Sequence, residues 1–143
     1  MAIKVQINGL SSALKKIQSV PAECLKEVIN GVNKAAAVVE SGAKRNCPVD
    51  TSLLRNSIHV QSAKTDGDSI KASVGTSVEY APYVEFGTGS RGGYPYETDI
   101  PLSYRKDWPG QAAQPFLGKS LHDNKPTVQK IIQDATNRGI KNV

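Results

Sequence analysis

The sequence predicts an α+β fold in which an antiparallel β-sheet packs against a long α-helix, with a long excursion loop and a C-terminal helix. Three patterns indicate it. Apolar residues recur at steps of three and four from Leu25 to Ala43, which is typical of an amphipathic helix of about five turns. Two alternating runs, 57–63 and 70–75, flank the pair Asp66-Gly67, a strong hairpin signal. A second helical pattern follows Pro115.

The N-terminal half is predicted to begin with a strand and continue with two helices. Residues 3–7 alternate between apolar and polar side chains, as a half-buried strand does. Residues 10–20 have the spacing of a short amphipathic helix. The long helix is expected over 22–46, because Pro21 suits a first turn and Cys47-Pro48 disfavours continuation.

Shorter elements are expected on either side of the hairpin. Asp50 or Thr51 would cap a short helical turn that holds Leu53 and Leu54. Residues 78–80 would either extend the second strand or start a third, and residues 81–86 would form one helical turn. In the last helix, Pro126 is expected to cause a break or kink, and residues 137–143 are expected to fray.

Residues 87–114 form a long segment with little periodicity and many glycines and prolines. Loops of this length inside a compact domain are usually functional or disordered. The segment carries aromatic side chains of the kind enriched at protein interfaces: Tyr94, Tyr96, Tyr104 and Trp108. We interpret it as an assembly arm, mobile in the free subunit and ordered against a neighbour. The alternative is a loop folded back over its own sheet.

The bulk properties predict one globular domain spanning residues 1–143. The net charge of +5 comes from scattered Lys and Arg residues, so contact with DNA is permitted but not indicated. The sequence has neither a secretory leader pattern nor an apolar run long enough to cross a bilayer, so no membrane role is expected. Cys24 and Cys47 fall near opposite ends of the predicted long helix, too far apart for a disulfide.

No set of residues predicts catalysis, a metal site or a cofactor. The run from Gly87 to Gly92 matches a dinucleotide fingerprint in spacing, but Tyr94-Pro95 follows it where that fold needs a helix. His59 and His122 have no second ligand at metal spacing. Cys47 precedes a proline at a helix end and is a poor candidate nucleophile.

Glu85 is unusual because Val84 and Phe86 flank it. A carboxylate in apolar surroundings needs either solvent or a partner. Arg55 is a candidate cationic partner, and exposure of Glu85 at a turn is the alternative. We expect Asp50, Thr51, Arg55 and Glu85 to act structurally.

Three blocks of residues resemble a family of tail components from siphophages and prophages, of the gene-product-ten type, to which minor tail protein Z proteins are similar. The blocks are Pro48-Val49-Asp50-Thr51-Ser52-Leu53-Leu54-Arg55-Asn56-Ser57-Ile58, Tyr80-Ala81-Pro82-Tyr83-Val84-Glu85-Phe86-Gly87-Thr88-Gly89 and Gln114-Pro115-Phe116-Leu117. The pair Ala43-Lys44, which the family also has, precedes the first block. Within that block, Ser52 stands where the family usually has glycine.

The resemblance implies a structural, non-enzymatic subunit of a tailed-phage virion or prophage. It implies a homo-oligomeric ring at the head–tail junction or tail-completion region, in contact with other neck and tail proteins. Such a protein would be made in the bacterial host cytoplasm and used in the virion. The alternative from composition is a nucleic-acid-binding accessory protein, which the positive charge permits.

Overall fold

The computed structural model describes residues 2–7, 21–48, 52–67 and 69–141. The elements in chain order are β1 (Ala2–Ile7), α1 (Ala22–Asn46), α2 (Ser52–Ser57), β2 (His59–Asp66), β3 (Ser69–Gly75), α3 (Ala81–Phe86) and α4 (Phe116–Lys141). A short 3-10 turn, Gly89–Arg91, lies within the long loop. The predicted α+β fold is confirmed. The predicted helix at 10–20 lies outside the described residues, as do the candidate caps Asp50 and Thr51.

The sheet has three antiparallel strands in the order β1-β3-β2. The predicted hairpin is confirmed: Asp66 pairs with Ser69, and Gly67 adopts a φ of 58°, in the left-handed region that glycine tolerates. β2 begins two residues later than predicted, because α2 runs through Ser57. The first strand joins the free edge of β3, so β3 lies at the centre.

The register of β2 against β3 shifts between Gln61 and Lys64. A bulge of this kind leaves a backbone group without its ladder partner. Here the N–H of Ala63 donates to the Asn33 side-chain oxygen of α1 at 2.7 Å. The long helix therefore supports the irregular strand through a side-chain hydrogen bond as well as through the core.

The core lies between the sheet and the helices α1 and α4. Helix α1 contributes fully buried residues at helical spacing, including Val28, Val32 and Val39, and β3 contributes Ile70 and Val74. Cys24 and Cys47 are both buried and unpaired, as expected from their positions.

Helices α1 and α4 pack closely because small residues lie where they cross. A Cβ at Gly31 would come within 2.3 Å of the Ala135 Cβ, and a Cβ at Gly42 would come within 2.3 Å of the Ser120 Oγ. Ser120 is buried and donates to the backbone oxygen of Val39 at 2.7 Å. The glycines that lower the helix propensity of α1 are thus the residues that let α4 approach.

Three local expectations differ from the structure in whole or in part. Residues 78–80 are not a strand, since the chain turns there into α3. Helix α4 continues through Pro126 without a break, and a kink there stays a prediction. Residues 137–141 are helical, because Gly139 is buried against Cys24 of α1 and this packing stabilises the last turns; residues 142–143 lie outside the described residues.

Candidate assembly surface around a buried glutamate

Glu85 is fully buried, at 0% exposure, and each of its carboxylate oxygens is hydrogen-bonded. Oε1 accepts from the backbone N–H of Leu117 at 2.8 Å. Oε2 accepts from the backbone N–H of Gly118 at 3.1 Å and from the hydroxyl of Tyr94 at 3.0 Å. One carboxylate thus joins α3, the long loop and the start of α4.

The backbone donors belong to the first turn of α4, where N–H groups have no partners within the helix. The residues before this helix, Ala113, Gln114 and Pro115, are not the side chains that usually cap a helix. Glu85 supplies the missing acceptor from another helix. Its negative charge also lies at the positive end of the α4 dipole, which favours the ionised form.

Burial raises the pKa of Glu85 above its ordinary value, while the hydrogen bonds from Leu117, Gly118 and Tyr94 oppose that rise. Burial and the neighbouring carboxylate also raise the pKa of Tyr94, so its hydroxyl keeps its proton and donates to Glu85. Glu85 and the three donors that hold its carboxylate, from Leu117, Gly118 and Tyr94, form a junction between α3, the long loop and the start of α4.

Neither sequence-based interpretation of Glu85 was right. The side chain is not exposed, and no described ion pair joins it to Arg55. Arg55 is exposed on α2. Burial raises the pKa of Cys47, and the positive charge of Arg55 partly offsets that rise. Glu85 instead bonds to backbone N–H groups, because those donors already lie in the interior.

The long loop is attached to its own subunit at several points. Thr88 and Gln111 exchange backbone hydrogen bonds of 2.9 and 3.0 Å, which closes the two ends of the loop onto each other. The Tyr104 hydroxyl donates to the backbone oxygen of Phe86 at 2.9 Å, and the Gly93 N–H donates to the same oxygen at 3.2 Å. The loop lies against α3 and the start of α4. Its mobility in a free subunit stays a prediction.

Glycine is required where the two ends of the loop meet. Gly110 has a φ of 61°, and a Cβ there would lie 2.1 Å from the backbone oxygen of Thr88. Gly89 has a φ of 64°, and its Cβ would lie 2.4 Å from the backbone oxygen of Trp108. These two glycines therefore permit close contact between the two ends of the loop.

A row of aromatic rings leads from the buried junction to the surface. Ring centroids are 4.6 Å apart between Phe86 and Tyr94, 5.6 Å between Tyr94 and Tyr96, and 5.3 Å between Tyr96 and His122. Tyr96 and His122 border an open cavity of about 580 Å³ between the long loop and the first half of α4. Of the aromatic residues predicted at an interface, Tyr94 and Tyr104 use their hydroxyls within the subunit, whereas Trp108 is 50% exposed.

The three sequence blocks that carry the family resemblance meet in this region. Val84 accepts a backbone hydrogen bond of 2.8 Å from Gln114, so the second and third blocks lie side by side. Leu54 of the first block shares the core cluster with Ala81 and Phe116 of the other two. Residues far apart in sequence thus form one structural unit, with Glu85 at its centre.

Sequence reasoning missed Tyr94 and the α4 backbone as the partners of Glu85. A signal was present: one acidic residue between Val84 and Phe86, and a later helix without a capping side chain. In the described residues, no group of three or more His, Cys, Asp or Glu side chains is placed to hold a metal ion. Among the described helices, none combines the length and apolar character that crossing a membrane requires.

Comparison with known proteins gives one match. The model of the family described as "Bacteriophage HK97-gp10, putative tail-component" matches residues 11–87, more than half of the chain. The match covers the first block and most of the second, and it ends where the long loop begins. No curated protein and no solved structure matches the chain. The chain belongs to the HK97-gp10-like family of bacteriophage tail components.

Proposed function

We propose that the chain is a non-catalytic structural subunit of a tailed-phage virion or prophage. Copies of it would form an oligomeric ring at the head–tail junction or in the tail-completion region. Membership of a tail-component family carries this proposal. Its partners would be further copies of itself and other neck and tail proteins. It would be made in the host cytoplasm and then incorporated into the virion.

The long loop is the surface that we assign to assembly. Its two ends are held in place by hydrogen bonds, at the Glu85 junction and between Thr88 and Gln111. It also presents Trp108 and Ile100 to solvent, at 50% and 46% exposure. Exposed apolar groups on a fixed scaffold favour binding to another protein, since little conformational entropy is lost on docking.

The experiment combines solution mass with a phage assay. Analytical ultracentrifugation over a range of concentrations, with negative-stain electron microscopy, should show closed rings of this chain. Deleting the gene from the phage or prophage should leave heads and tails unjoined or tails incomplete, and a plasmid copy should restore infectious particles. A chain that stays monomeric, together with normal virions in its absence, would contradict the proposal.

The same material tests the nucleic-acid alternative. Several cations of the described residues are held by acids in the same subunit, including Lys71 by Asp66 and Lys119 by Asp123. A titration of generic duplex DNA at low and moderate salt would detect phosphate contacts by a steep salt dependence. Tight, salt-dependent binding without self-assembly would favour the accessory role.

A further inference from the structure

One side chain of the long loop reaches the site that caps α4. The Tyr94 hydroxyl donates to Oε2 of Glu85 at 3.0 Å. The same oxygen accepts from the backbone N–H of Gly118 at 3.1 Å. Two donors from different parts of the chain, the loop and the first turn of α4, therefore share one acceptor atom.

Tyr94 reaches this atom because Gly118 has no side chain. A Cβ at Gly118 would lie 2.1 Å from the Tyr94 hydroxyl oxygen and 2.9 Å from the ring of Tyr96. His122, one turn further along the same face of α4, packs against Tyr96 with ring centroids 5.3 Å apart. Residues 94–96 of the loop thus lie along the first two turns of α4.

The second half of the loop is held to α3 instead. The Tyr104 hydroxyl donates to the backbone oxygen of Phe86 at 2.9 Å, and Phe86 belongs to α3. The Gly93 N–H, in the first half, donates to the same oxygen at 3.2 Å. Among the hydrogen bonds of the described residues, the one from Tyr94 is the bond by which a loop side chain holds Glu85.

We propose that Tyr94 fastens the first half of the loop to the first turn of α4, so that the two segments open together as one cooperative unit. A fully buried carboxylate stays in the interior only while donors satisfy it. When Tyr94 withdraws, Oε2 loses a donor, and the space beside Gly118 admits water to the carboxylate. Glu85 is then hydrated, and the N–H groups of Leu117 and Gly118 lose their acceptor.

The coupling acts in both directions, as thermodynamic linkage requires. A molecule that binds the loop only in its fastened form also stabilises the start of α4, although it does not touch the helix. A molecule that holds the start of α4 likewise stabilises the loop. The coupling is a property of the single subunit, so it does not depend on the proposed ring.

NMR-detected hydrogen–deuterium exchange on the full chain tests whether the two segments open together. In the wild type, the amides of Leu117 and Gly118 in α4 and of Gly93 in the loop should open with one common free energy and one urea dependence. Val32, buried in the middle of α1, reports global unfolding and should be better protected. The proposal is wrong if Leu117 and Gly118 open only with Val32, or if Gly93 opens without them.

The variant Tyr94→Phe tests the bond that joins the two segments, because it removes the hydroxyl and keeps the ring. It should speed the exchange of the Leu117, Gly118 and Gly93 amides by at least about tenfold, the effect of losing a hydrogen bond to a charged group. Acceleration at Gly93 alone, or at none of the three amides, would show that Tyr94 does not couple the loop to α4.

The matched control is Tyr104→Phe, which removes a loop hydroxyl that donates to Phe86 rather than to Glu85. It should leave the exchange of the Leu117 and Gly118 amides at the wild-type rate. Equal acceleration of these amides by both tyrosine variants would indicate a general loosening of the loop and would overturn the proposal.

The variant Gly118→Ala tests the opposite direction. Its Cβ would displace the Tyr94 hydroxyl, so this change in α4 should speed the exchange of Gly93 in the loop by at least about tenfold. Lys119→Ala, at the exposed neighbouring position, should leave the exchange of Gly93 unchanged. In the Tyr94→Phe variant, where the hydroxyl is already absent, Gly118→Ala should have a smaller effect. Unchanged exchange of Gly93 in Gly118→Ala, or full additivity of the two substitutions, would contradict the proposal.

Discussion

The Oε1 atom of Glu85 accepts a hydrogen bond of 2.8 Å from the backbone N–H of Leu117, which lies 32 residues further along the chain. This contact makes α3 the cap of α4. The second sequence block thus supplies the acceptor, Glu85, and the first turn of α4 supplies the backbone donors, Leu117 and Gly118.

Replacement of Glu85 should reveal the strength of this junction. Glu85→Ala would leave three donors without an acceptor, from Leu117, Gly118 and Tyr94, and two of them are buried backbone groups. We expect the free energy of unfolding to fall by at least about 3 kcal/mol, given roughly 1–3 kcal/mol for each unsatisfied buried group. Glu85→Gln keeps one acceptor oxygen and should lose less. Urea denaturation of both variants provides the measurement, and equal losses would contradict the specific pairing.

The stability of the protein should also depend on the titration of Glu85. Burial raises its pKa in the folded state, so the folded protein binds the proton more tightly than the unfolded chain. The stabilisation from protonation is fully present below the unfolded pKa and is lost as pH rises through the folded pKa. The wild type should therefore gain stability relative to Glu85→Gln as pH falls from neutral towards the ordinary glutamate range. Urea titrations of both proteins across that range test the sign, and a relative loss on acidification would mean that the hydrogen bonds outweigh burial.

The substitution Gly31→Ala should destabilise the protein, whereas replacing a helical glycine by alanine usually stabilises it. In an open helix the change stabilises by about 1 kcal/mol. Here the new Cβ would lie 2.3 Å from the Ala135 Cβ, so the helices must separate, and we expect a loss of about 1–3 kcal/mol. Gly93→Ala, which has no atom within 4 Å of its Cβ, should be neutral.

The double variant Gly31→Ala with Ala135→Gly tests whether the loss of stability comes from the clash with Ala135 or from the change within α1 itself. It returns the methyl group to the opposite helix, so thermal melting should show partial recovery of stability. A double variant less stable than Gly31→Ala alone would mean that the clash with Ala135 is not the cause.

Hydrogen–deuterium exchange should resolve the behaviour of the long loop. The amides of Thr88 and Gln111 are bonded to each other and should be protected in the free subunit. The amide of Ile100, whose partner is the side chain of Thr98, should exchange quickly when free and slowly in the assembled particle. Fast exchange throughout 88–111 would indicate that the whole loop is mobile before assembly. Protection that does not change on assembly would remove the tip from the interface.

Periodicity and turn chemistry determined much of the architecture from the sequence. The spacing of apolar residues located α1 at Ala22–Asn46, and Asp66-Gly67 located the hairpin, because these signals are local. The pairing of β1 with β3 was not predictable, since an isolated alternating strand does not specify its neighbour. The extension of α4 to Lys141 was likewise not predictable, since it depends on the packing of Gly139 against Cys24 of α1.

The sequence alone thus determined the α+β class, the main elements and, through its motif blocks, the family. Only the tertiary structure decided what the distinctive residues do. Glu85 could have been exposed or paired with Arg55, because an acidic residue between two apolar ones is compatible with both. The N-terminus of α4 decides between these arrangements, because its first N–H groups have no partner within the helix and the positive end of its dipole favours a carboxylate. In the folded chain those N–H groups donate to Glu85. Such a contact depends on distances between segments far apart in the chain, and those distances exist only in the folded molecule.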